Sequence, residues 1–199
     1  MDGLRAHARP RRSAVAVALT LALVALTCLA ASQAAAIPYS NASAQVVQRQ
    51  PPPGTCHARG SGLYSRPDAR CTPGALNSAV TAATVRSTIC RSGWTSTVRP
   101  RESITAREKL ASMAAYGDPR RPSAYEYDHL VPLELGGAVN DARNLWPEPD
   151  YRERTGFYLN PKDRLERTLN RLVCNGRMPL RTAQRLIALD WVSAFRTYE

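Results

Sequence analysis

Apolar residues fall into three regimes along the chain. From residue 14 to 31 they form an almost unbroken run of Ala, Val and Leu. From 37 to 74 they are sparse and aperiodic, and beyond residue 78 they recur at helix or strand spacing. Residues 79–89 (AVTAATVRSTI) predict a short helix, and SGWTSTVRP after them an extended segment. Thr105 and Glu108 stand three apart, as in a capping box, and predict a helix over TAREKLASMAAYG that Gly117 closes. Residues 127–131 predict a strand, followed by a turn and a second short strand near 145–146. Asn160 and Pro161 are an N-cap and a first helical residue. Leu165, Leu169, Leu172 and Val173 then fall at core spacing, up to the stop at Asn175-Gly176. A last helix over about 181–197 carries Ala183, Leu186, Ile187, Trp191 and Phe195 on one face. Neither an internal repeat nor a nucleotide-binding glycine loop is present.

The first regime is targeting material. Arg5, Arg9, Arg11 and Arg12 precede the apolar run, and the small residues ASQAAA follow it, with cleavage options after Ala34 or Ala36. A charged start, an apolar stretch and a small-residue site describe a secretory signal peptide over 1–36, and the Ala-rich end favours cleavage over a retained membrane anchor. The expected mature chain is therefore exported, without stable membrane association. Residues 37–55, polar and proline-rich, read as a flexible lead-in. Residues 56–125 form a cysteine-containing, partly helical first portion, and 126–199 a second portion with the strands and the last helices.

Removing 1–36 removes four Arg and one Asp, which lowers the formal net charge from +11 to +8. An Arg-rich excess of this size suits a polyanionic partner, and equally a basic soluble protein. Four cysteines remain: Cys56, Cys71, Cys90 and Cys174. In an exported chain they imply two disulfides with three possible connectivities. Cys71–Cys90 is favoured because the two flank the predicted helix over 79–89. A zinc site is disfavoured, because no pair has C-x-x-C spacing.

The densest chemistry lies between residues 127 and 149, YDHLVPLELGGAVNDARNLWPEP. Asp128-His129, Pro132, the Gly136-Gly137 pair and then Asn144 form an ordered set. The stretch resembles the HNH branch of the His-Me finger nucleases, and most closely small secreted bacterial HNH-like proteins with a D-H-L-[IV]-P-L-E-L-G-G…N-L-W-P-E-P core. Lys162, Asp163 and Glu166 match the K-D-x-x-E helix start of such proteins, and the likeness extends more loosely over about 70–197. It implies an α+β fold: a mainly helical small domain built around a ββα-metal finger.

The resemblance also implies roles. His129 matches the general base that takes a proton from the attacking water, a task suited to a neutral imidazole. Asn144 matches the asparagine that braces the loop, and Asp128 a metal ligand. Asn160 matches the helix-borne ligand, with Asp163 one turn along as its rival; Glu166 is a candidate ion-pairing residue. Adjacent strand residues face opposite sides, so Asp128 and His129 can share one site only if the strand is distorted before Pro132. Because the donors are mainly carboxylates and amides, Mg²⁺ or Mn²⁺ is the expected cofactor, with Zn²⁺ the lesser alternative.

Arg143, Arg152, Arg154, Arg164 and Arg167 flank the motif and are candidates for tracking a phosphate backbone. Trp94, Trp146 and Trp191 read as core residues, His57 as an exposed loop residue, and Glu134 as a turn residue. The expected activity is metal-dependent hydrolysis of phosphodiester bonds in DNA, and possible RNA, with low base specificity. The alternative is an inactive protein of the same fold that binds nucleic acid or another polyanion. A toxin role would bring with it an immunity or inhibitor protein as partner.

Overall fold

The computed structural model of the chain describes residues 36–150 and 160–199. All but the last residue of the expected signal peptide lies outside these, as do Arg152 and Arg154. The described residues form a small α+β domain. Its strands are β1 (Tyr39–Ser40), β2 (Leu76–Asn77), β3 (Tyr125–His129) and β4 (Leu145–Pro149); its helices are α1 (Trp94–Val98), α2 (Glu102–Tyr116), α3 (Pro161–Cys174) and α4 (Leu180–Tyr198). Strands β1 and β2 pair in parallel and β3 and β4 antiparallel, with Asp128 opposite Trp146 and His129 opposite Leu145. Among the described residues no helix is long and apolar enough to cross a membrane.

The core follows from the amphipathic faces of α3 and α4. Leu165, Leu169 and Val173 meet Ala183, Ile187 and Trp191, and the chain after β3 caps them with Leu130, Val131 and Leu135. A smaller cluster joins Cys56, Ala115, Tyr116 and Trp146. All three tryptophans are buried, as core residues should be. Asn160 caps α3 by accepting the Lys162 backbone N–H at 3.0 Å, and Pro161 occupies the first helical position, where no N–H is needed.

Several expectations change. Residues 82–90 form successive turns, not a helix. The hydroxyls of Thr84 and Thr88 donate to backbone carbonyls of this stretch, offering the chain a competitor to the helical ladder. The segment expected to be extended holds α1. Helix α2 starts at Glu102, a turn before the expected capping box. Glu108, its would-be capping partner, is buried and accepts the Gln48 N–H at 2.6 Å and an Asn140 Nδ2–H at 3.0 Å. Residues 37–55, expected as a flexible lead-in, lie against the domain. Ile37 is buried in the core, and Asn140 Nδ2 also donates to Val46 O at 2.9 Å. Helix α4 is broken at Asp190 (φ −158°, ψ 83°), whose carboxylate accepts the Ser193 N–H and hydroxyl and so caps the final turns.

The four cysteines form two disulfides, but not in the favoured pairing. They join Cys56 to Cys71 and Cys90 to Cys174. With no helix over 79–89, Cys71 and Cys90 are not brought together by that segment. Cys90 is carried instead to the C-terminal end of α3, where the Arg86 guanidinium also donates to the Cys174 carbonyl at 2.7 Å.

Candidate functional site

Strand β3 ends at His129, two residues short of the expected limit, because the next two N–H groups leave the ladder. Leu130 N donates to Asn144 O at 2.7 Å, and Val131 N to the Asn144 side-chain carbonyl at 2.9 Å. The Asn144 amide then donates to Val131 O at 2.9 Å and Ala138 O at 3.1 Å. Fully buried, Asn144 ties the start of the loop to its far side. Gly136 turns that loop with φ +75°. Gly137 allows a closer approach: a Cβ there would lie 1.7 Å from Val131 O.

The chain leaves strand geometry only after His129: Asp128 and His129 stay in the β3 ladder opposite Trp146 and Leu145, without the expected distortion between them, and both line one cleft. It has a volume of ≈ 310 Å³ and also presents Glu126, Glu134, Asp163, Glu166, Thr95 and Arg99. His129 is buried, with Nε2 3.1 Å from Val139 O. A carbonyl can only accept, so Nε2 carries the proton and Nδ1 keeps the lone pair. Burial pushes the imidazole down to about 4, against the opposing pull of Asp128. His129 is therefore neutral near pH 7 and has one basic nitrogen.

Below Asp128 lies a buried charge cluster. The Lys162 side chain, with no exposed surface, reaches from the first turn of α3. Its ammonium donates to Asp128 Oδ2 at 2.5 Å, to His129 O at 2.7 Å and to Glu166 Oε1. Glu148 Oε2 is 3.9 Å away. Burial opposes the charge on Lys162, but Asp128, Glu166 and Glu148 outweigh it and hold it protonated. Burial, and after it the charge of Asp128, raises Glu148 well above the usual carboxylate range. Burial raises Asp128 too, but Lys162 and a hydrogen bond from Glu148 bring it below its ordinary value. Glu148 is thus the protonated partner and Asp128 the carboxylate. Glu166 is raised by burial despite its lysine, and Glu134 by burial despite Arg167.

The other candidates fall outside this group or at its rim. Asn160 does not face the cleft: besides capping α3 it donates to Glu148 Oε1 at 2.9 Å. Asp163 lines the cleft. Arg143 forms a fork with Asp141, the shorter arm 2.7 Å, and Arg164 pairs with Glu199 at 3.0 Å. Arg167 is exposed on α3. The arginine on the cleft wall is Arg99, which follows α1 and was not among the candidates. Lys162 and Glu148 were also missed as site residues. The i, i+4 spacing of Lys162 and Glu166 on a helix was the available signal.

The residues matched to metal ligands do not fit a divalent cation at Asp128. That carboxylate already faces a cation, the Lys162 ammonium, and Glu166 is bound to the same nitrogen; a metal ion there would be repelled by the ammonium it joined. No family model, no curated protein and no solved structure matches the chain.

Proposed function

We propose that the chain is an exported HNH-type endonuclease that hydrolyses phosphodiester bonds in DNA, and in RNA as a second substrate, with low base specificity. On this reading β3, β4 and α3 are the two strands and helix of the finger. The observation that carries it is the neutral His129 on a polar cleft, held in one tautomer by Val139 O. Nδ1 takes the proton from a water as that water attacks phosphorus, and the bond to the departing sugar oxygen breaks on the opposite side. Arg99 supplies positive charge at the cleft wall, where charge builds on the phosphoryl oxygens. Asn144 keeps the loop, and with it Val139 O, in place.

A second reading is binding without cleavage, to nucleic acid or another polyanion. The ion-paired state of Asp128 favours it, since an expected reactive carboxylate is tied to a lysine. One assay separates the two. Mature protein and His129→Ala are incubated with plasmid, single-stranded DNA and RNA in Mg²⁺, in Mn²⁺ and in a chelator. Cleavage by the wild type that falls at least 100-fold in His129→Ala supports the nuclease. Salt-sensitive binding with no cleavage under any condition supports the second reading, and equal cleavage by both proteins removes His129 as the base.

A further inference from the structure

The Lys162 ammonium has three protons and three close acceptors: Asp128 Oδ2, the His129 carbonyl and Glu166 Oε1. Its donor capacity is full. The nitrogen is also completely buried, between the end of β3 and the first turn of α3, with the Glu148 carboxyl 3.9 Å away. A cation ringed by carboxyl groups lies at the junction of two strands and a helix, and on the finger reading above this junction would hold the metal. Here that cation is covalently part of the chain.

Resting on the finger reading above, we propose that the Lys162 ammonium replaces the divalent metal of the site, so that Asp128 serves as a lysine counter-ion and not as a metal ligand. Three observations converge on this. Lys162 is fixed at its base, since Asn160 caps its backbone N–H and the Asn160 amide holds Glu148. The ammonium bonds both to Asp128 and to the carbonyl of His129, as a cation organising that strand end must. The ammonium also already neutralises Asp128 Oδ2, so a divalent ion approaching that oxygen from the cleft would meet a buried like charge.

Mn²⁺ binding, followed by electron paramagnetic resonance on the disulfide-intact mature chain, tests this without reference to cleavage. The wild type and Asp128→Asn should bind Mn²⁺ with affinities within twofold of each other. A tenfold or greater loss of Mn²⁺ affinity in Asp128→Asn overturns the proposal. Lys162→Met vacates the cation position and should gain at least tenfold in Mn²⁺ affinity, a gain that Lys162→Met/Asp128→Asn should lose. A folded Lys162→Met that gains nothing also overturns it. If Lys162→Met does not fold, the comparison of wild type with Asp128→Asn decides alone. Any cleavage by the wild type should persist in chelator, whereas failure of the nuclease reading would show as absent or His129-independent cleavage with the Mn²⁺ result unchanged.

Discussion

At the scale of single residues, one side chain and one missing side chain set the geometry. His129 is buried enough that the native state resists its protonation. Its imidazole lies at about 4 in the fold, against about 6.5 when unfolded. Between those values the unfolded chain binds a proton that the native chain does not, so stability falls as pH drops from about 6.5 to about 4. The total is about 3 kcal/mol, with no contribution above that window. A ring-proton titration by NMR should place the His129 midpoint near 4, and cleavage should hold down to about pH 5; a midpoint at the unperturbed value would refute the burial argument. Gly137 is the missing side chain. With Val131 O in the place of its Cβ, Gly137→Ala must push the loop off Asn144 and should cost about 3 kcal/mol or more, measured by urea unfolding. The need for the Gly pair was legible in the sequence. That one glycine serves a turn and the other a backbone approach was not, because the approach involves Val131, six residues back.

At the scale of elements, α3 was the most legible. Its cap, its first-position proline and its leucine spacing are all local, and local rules decide them. The stretch from 79 to 98 was the least legible. Its β-branched and hydroxyl residues are weak helix formers, and its shape is held from outside by Cys90–Cys174 and by burial of Ile89 and Trp94. The two disulfides should differ in effect. Cys90–Cys174 closes a sequence separation of 84 and Cys56–Cys71 one of 15. Loop-closure entropy then predicts that Cys90→Ser/Cys174→Ser loses about 1.5 kcal/mol more stability than Cys56→Ser/Cys71→Ser. Guanidinium unfolding of the two variants checks this, and an equal or reversed loss would show that local packing outweighs chain entropy.

At the scale of the molecule, two disulfides fit an oxidising, extracellular environment, and a basic composition fits a polyanion. The flanking arginines expected to grip that polyanion are partly committed elsewhere, Arg143 to Asp141 and Arg164 to Glu199. Ion pairing depends on which carboxylate the fold delivers, and a count of charges does not contain that. The order Asp128, His129, Pro132, Gly136-Gly137, Asn144 was readable because each residue acts within a short loop. By itself the sequence determined the α+β class, the bounds of α3, the burial of the tryptophans, the turn after β3 and the presence of two disulfides. Only the tertiary structure decided how the cysteines pair, that 37–55 packs on the domain, and that Lys162 meets Asp128, Glu148 and Glu166. Those contacts reach 34 residues for Lys162 and Asp128, 84 for Cys90 and Cys174, and 94 for Asn140 and Val46. Propensity and periodicity act over a turn or a strand, whereas a buried charge finds its partners through the packing of the whole core.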